Sequence, residues 1–258
     1  MTASSEPVIV TERDRTLHIC LNRPTAGNAL NWATLEGLHR AFTVLNDEER
    51  LWAGVLTATG DTTFCAGADL KTLPQEVAAK QAEGIPLPET IMHGLRIRKP
   101  LLCAINGDAY GGGLELALAC DMRLASEHAR LALPEARVGM IPAGGATYRL
   151  PQLVGKGRAL RMMIAGEPIT AAEALTWGLV DRVVTKGELG SAIEEWTEMI
   201  LRSAPLAVQA IKELVDGSDN KEAHHAEAAA IARIQRTADA AEGPRAFRER
   251  RKPTWCGR

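Results

Sequence analysis

The chain runs as short apolar stretches broken by polar turns. Residues 8–21, VIVTERDRTLHICL, predict two short strands around a polar turn. Asn31 stands ahead of Leu35, Leu38, Phe42 and Leu45, whose three- and four-residue spacing predicts a helix that Asn31 caps. AGVLTAT at 53–59 predicts a strand with turn residues after it, and FCAGADLKTL at 64–73 starts as a Gly-containing turn that can open a short helix. Residues 74–90 mix Pro, Gly, Gln and Glu and read as a mobile loop or a loosely held helix. LLCAIN at 101–106 is a buried-type strand, GGGLELALAC at 111–120 turns into a helix, and DMRLAS at 121–126 is a strand again. Thr170 and Glu173 have the spacing of a capping box at the start of TAAEALTWG. Beyond about residue 187 the strand signals stop, and Ala- and charge-rich helical segments run to the end.

Strands alternating with helices up to about residue 185 argue for an α/β fold of parallel β units with crossover helices. The helical tail argues for a small second unit, in which Ile231 and Ile234 need the core or another subunit to pack on. A length of 258 residues allows one large domain, or a domain with an appendage. The net charge of −2 does not demand a polyanion-binding surface. The first residues show no secretory signal, and no 18-residue apolar stretch predicts a membrane span, so the expected location is cytoplasmic. The five cysteines, Cys20, Cys65, Cys103, Cys120 and Cys256, form no CxxC pair and read as reduced thiols. His224 and His225 sit side by side in a polar helical segment, no HExxH occurs, and no metal site is expected.

Within YGGGLELALAC, one acid, Glu115, stands in a segment otherwise suited to burial. An ionised carboxylate without a partner is costly there. Either Glu115 faces outward or has a structural partner, or an acid is kept there for use. Gly111, Gly112 and Gly113 sit between strand and helix, where free amides at the helix start can meet negative charge; a plain tight turn is the simpler explanation. GDAYGGG is not GxGxxG, and no GK[ST] follows, so neither a dinucleotide fingerprint nor a P-loop is present. Gly67 and Ala68 could present a second amide. Cys65 has no base near it in sequence and reads as an inert thiol. No GxSxG nucleophile elbow occurs. Glu135 stands in a loop in LPEARVGM, where a lone glutamate is usually just solvated. Two carboxylates that converged could move protons around a water, but spacing alone does not bring Glu115 and Glu135 together. The basic C-terminus, RAFRERRKPTWCGR, is a solvated helix end or a surface for phosphate or nucleic acid.

LNRPTAGNALN, FCAGADLK, INGDAYGGGLELALACDMRLAS, LPEARVGMIPAGGATYRLPQLVG, AEALTWGLVDRVV and TADAAEGPRAFRERRKPTWCGR together resemble the crotonase, or enoyl-CoA hydratase/isomerase, family over nearly the whole chain. The resemblance implies a crotonase-like spiral of ββα units over 1–190, holding the active site. It implies C-terminal helices over 191–258 for trimerisation and CoA contact, as a homotrimer or dimer of trimers. It implies an acyl-CoA substrate, with coenzyme A arriving as part of the thioester and no separate cofactor. By motif position the oxyanion-hole amides are those of Ala68 and Gly112, and Glu115 and Glu135 are the acid–base pair. Ala26, Cys65, Ala66, Asp69, Leu70, Tyr110, Phe247 and Arg250 fall at positions along the CoA and acyl groove. Both acids together favour an enoyl-CoA hydratase, with an enoyl-CoA isomerase as an alternative. IPAGGATYRL, with Tyr148 in place of a frequent Gln, departs from the usual hydratase run. LALPEA, EALTWGLVDRVV, SAPLA and EGPRAF…PTWCGR also resemble the carnitinyl-CoA dehydratase branch, against which Ala68 stands in place of a bulkier aromatic. Some crotonase relatives bind RNA; the basic tail favours that here and the net charge opposes it.

Overall fold

A computed structural model describes residues 6–215 and 229–258 of the chain. His224 and His225 lie outside the described residues. The first two strands, β1 (Val8–Arg13) and β2 (Thr16–Leu21), pair antiparallel with Val8 opposite Leu21. They turn through Asp14 and Arg15, both at positive φ (45° and 62°), as a two-residue hairpin whose twist matches its strands demands. Asn31 caps α1 (Trp32–Asp47): its Oδ1 accepts the Thr34 N–H at 3.0 Å. The predicted stripe of Leu35, Leu38, Phe42 and Leu45 is the buried face of that helix.

From here the chain winds as a spiral. β3 (Ala53–Ala58) and β4 (Thr63–Cys65) are followed by α2 (Leu73–Ala82). β5 (Leu101–Ile105) and β6 (Asp108–Tyr110) are followed by α3 (Gly112–Leu118). β7 (Met122–Ser126) and β8 (Arg130–Ala132) are followed by a 3-10 turn at Glu135–Val138 and by α4 (Ala146–Val154) and α5 (Lys156–Ala165). The first strand of each pair enters a six-stranded sheet, ordered β1-β2-β3-β5-β7-β10, and the second a four-stranded sheet, ordered β4-β6-β8-β9. Here β9 is Ile169–Thr170 and β10 is Arg182–Val184. All pairings from β2 to β10 in the larger sheet are parallel.

The unbroken apolar run of β5 follows from burial on both faces. Cys103 and Ile105 join the main core with α1 and α3, whereas Leu102 and Ala104 face Leu189 and Ala192 of α7 (Leu189–Leu201). α7, in the segment expected to be C-terminal and helical, therefore also covers the outer face of the larger sheet. The capping box is present, with Thr170 and Glu173 bonding reciprocally at the start of α6 (Ala171–Thr176). α2 buries no residue, as a loosely held helix would. The expectation for 64–73 needs correction: Thr63–Cys65 is strand, and the helix starts only at Leu73. After α8 (Pro205–Val215) and α9 (Ala238–Glu249) the chain end folds back. Asp239, 3% exposed, accepts the Cys256 and Gly257 N–H groups at 2.8 and 2.9 Å.

Candidate active site

Two strand exits meet. Gly67, just past β4, has φ 94°; a Cβ on it would lie 2.9 Å from Tyr110 O and 3.2 Å from Gly112 N. A Cβ on Gly113 would strike the Cys65 carbonyl. The Gly67–Ala68 turn and the start of α3 thus pack backbone on backbone, which glycine permits. Leu30, paired in a bridge with Ala68, holds the Gly67 carbonyl and the Asp69 N–H on either side of it. Among the described residues, the N–H groups of Ala68 and Gly112 donate to no protein acceptor. An ideal Cβ on Gly112 would sit 3.7 Å from Ala68 N, so these two free donors are neighbours.

Glu115, 4% exposed, lies one turn into α3. Its Oε1 accepts the Gly144 N–H at 2.7 Å and the Ala146 N–H at 3.1 Å, which fixes the carboxyl group. Glu135, in the 3-10 turn, is half-buried. Its Oε1 lies 3.1 Å from an ideal Cβ on Gly111, and its Oε2 is buried without a hydrogen-bond partner. Burial holds the Glu135 carboxyl above the usual carboxylate range, and the charge of Glu115 adds to the rise. The two acids, twenty positions apart in sequence, therefore converge beside the two amides. Leu114, Leu116 and Leu118 are buried around the helix that carries Glu115.

The expected groove residues divide. Ala26 is exposed in the turn whose Gly27 carbonyl accepts the Ala66 N–H at 2.9 Å, so Ala26 and the exposed Ala66 line adjoining turns. The Cys65 side chain is wholly buried and burial pushes its thiol up to about 12, so only its backbone can face a ligand. Asp69 pairs with Arg23 at 3.0 Å, and Leu70 is exposed beside it. Tyr110 is half-buried, its hydroxyl donating to Asp108 at 3.0 Å. Arg250 is exposed after α9, and no hydrogen bond or ion pair among the described residues joins it to these turns. Phe247 lies within α9, but its side chain is outside the described residues. In the basic tail, Arg245 and Arg251 are paired with Glu242. Among the described residues no group of three or more His, Cys, Asp and Glu could hold a metal ion, and no helix is long and apolar enough to cross a membrane.

Residues 12–258 match the family described as enoyl-CoA hydratase/isomerase. The chain belongs to that family. A carnitinyl-CoA dehydratase of Proteus mirabilis is 36% identical over 261 aligned positions, covering 98% of this chain and 100% of the relative. A carnitinyl-CoA dehydratase of Salmonella agona is 35% identical with the same coverage. The solved enoyl-CoA hydratase of Bacillus anthracis superposes with a TM-score of 0.90 at 36% identity, over 98% of this chain and 100% of that one. That of Mycobacterium tuberculosis H37Rv superposes at 0.89 with 34% identity, over 98% and 100%. The α/β crotonase fold is thus the fold of this enoyl-CoA hydratase/isomerase family member.

Sequence reading missed the seat of Glu115. Gly144 and Ala146 act there through backbone N–H groups, and Arg149 braces the same loop by donating to Gly144 O at 2.8 Å. The available signal was the glycine pair in IPAGGATYRL. Gly145, at φ 103°, makes a turn that a side chain there would obstruct.

Proposed function

We propose that the protein is an enoyl-CoA hydratase, reversibly adding water syn across a 2-trans-enoyl-CoA to give a 3-hydroxyacyl-CoA. One observation carries this: Glu115 and Glu135 converge beside the free N–H groups of Ala68 and Gly112. The thioester oxygen accepts from both amides. Attack at Cβ drives charge onto that oxygen, and donors already in place stabilise it without reorganising. Glu115, with Oε1 held by Gly144 and Ala146, takes a proton from the water that attacks Cβ. Glu135 gives its proton to Cα, a role that suits a carboxyl held above its usual range. Cβ gains the water's hydroxyl, Glu115 keeps the water's other proton, Cα gains the proton from Glu135, and the next water between the acids relays the proton from Glu115 back to Glu135.

The CoA portion runs along Ala26, the Cys65–Ala66 backbone, Asp69, Leu70 and Tyr110. Arg250 and Phe247 reach CoA from a neighbouring subunit of a homotrimer or dimer of trimers.

A second substrate is favoured by the carnitinyl-CoA dehydratases among the relatives. The two are separated by comparing the loss of conjugated-thioester ultraviolet absorbance on crotonyl-CoA and on crotonobetainyl-CoA. Faster loss on crotonyl-CoA supports the general hydratase, and faster loss on crotonobetainyl-CoA supports the dehydratase. A shifted double bond without a 3-hydroxy product would make the enzyme an isomerase.

A further inference from the structure

We infer that Arg149 is a positioning residue: its guanidinium ties the seat of Glu115 to the turn at Thr90–His93, and turnover depends on that tie through Glu115. The inference takes the chain to be the hydratase proposed above. Gly144 is held from both of its backbone groups. Its N–H donates to Glu115 Oε1 at 2.7 Å, and its carbonyl accepts from Arg149 Nη1 at 2.8 Å. The other arm of the guanidinium, Nη2, donates at 3.1 Å to the carbonyl of Ile91, 58 positions away in sequence.

That carbonyl belongs to an ordered turn. Thr90 and His93 exchange backbone hydrogen bonds at 2.9 Å, and Thr90, Ile91 and Met92 are buried. Upstream of it lies α2, which buries nothing. Glu76 of α2 accepts the Trp32 N–H at 2.9 Å, but no residue from Asp69 to Glu89 is buried, so the Ile91 turn is the first buried anchor of that segment, and Arg149 spans from it to the loop that seats Glu115.

The local sequence is arranged for this reach. Gly145, at φ 103°, turns the chain immediately after the Gly144 carbonyl, and a Cβ on Gly145 would run into Arg149 Nη1 and the Tyr148 ring. Arg149 Cζ lies 4.9 Å from the centroid of that ring, a further restraint on the guanidinium. A planar fork can serve two carbonyls in fixed directions; a lysine ammonium is a point charge that cannot reproduce that geometry.

The simpler possibility is that Arg149 only satisfies two carbonyls and supports the fold. A double-mutant cycle separates the two. Arg149→Met keeps length and removes the donors. It is expected to lower kcat by about 10–10²-fold, the scale for a catalytic group displaced by roughly an ångström, leaving KM within about threefold. In a Glu115→Gln background the same change is expected to cost less than about twofold, because the residue it acts through is already gone. An equal loss in both backgrounds, a change in KM alone, or no loss would overturn the inference.

A second readout needs no turnover. Amide hydrogen exchange at Gly144 and Ala146 is expected to quicken about tenfold in Arg149→Met while β5 amides keep their protection. Unchanged exchange at those two amides overturns the inference even if no enoyl-CoA proves to be a substrate. Should Arg149→Met fail to fold, Arg149→Lys, which keeps the charge and loses the fork, takes its place in both experiments.

Discussion

Gly67→Ala tests the paired amides with one methyl group. The new carbon would lie 2.9 Å from Tyr110 O and 3.2 Å from Gly112 N. The methyl would press on the Tyr110–Gly112 backbone that presents the Gly112 N–H, and an oxyanion donor has to stay about 2.7–3.1 Å from the thioester oxygen to act. The backbone at φ 94° adds strain of about 1–3 kcal/mol for a residue with a Cβ. A domain with about 5–15 kcal/mol of stability survives that loss. Losing one oxyanion donor costs about 10²–10³-fold in kcat. The expected outcome is a folded variant with a lowered Tm, near-normal binding of free CoA by calorimetry, and crotonyl-CoA hydration slowed by at least about 10²-fold. Gly60→Ala is the control: its φ is 84°, but its Cβ would meet only Pro24 at 3.6 Å. It should lose stability and keep its rate. A folded Gly67→Ala protein with kcat within about threefold of wild type would refute the oxyanion hole assigned here.

Two more predictions follow from the acids. Gly144→Ala would place a carbon 2.8 Å from Glu115 Oε2 and 3.0 Å from its Cδ. Displacing the carboxyl should lower kcat about 10²-fold, measured on crotonyl-CoA, with the overpacking costing about 1–3 kcal/mol in a denaturant melt. Glu135 carries a carboxyl raised by burial, so the folded state favours its protonated form. Its stabilising contribution is present at low pH and is lost as pH rises through the raised value. Wild-type stability relative to Glu135→Gln should fall over that interval, and the alkaline limb of the pH–rate profile that Glu135 sets should be missing from the variant; parallel stability curves would refute the assignment.

Much of the fold was legible because local rules and tertiary packing agreed. Asn31 with its apolar stripe, the Thr170–Glu173 box and the fully apolar β5 each satisfy a local preference and a burial requirement together. The short strands β8 and β10, three residues each, carry too few side chains for a period to show. α2 lacks a period because it buries no face. Motif resemblance marked both glutamates, but their convergence is set by the 3-10 turn at Glu135 folding back over Gly111, which no spacing encodes. The donors that seat Glu115 are main-chain amides, identical in every residue but proline, so only the glycines that expose them leave a trace. Cys65 illustrates the reverse: motif resemblance put it among the groove positions, yet its side chain faces the core.

The most direct test of the paired acids is the initial rate of crotonyl-CoA hydration by the wild type, Glu115→Gln and Glu135→Gln at one pH. The account predicts rapid loss of absorbance in the wild type and kcat lower by about 10²–10⁴-fold in each variant, the range for a general acid–base group. Wild-type rates retained by either folded variant would contradict it.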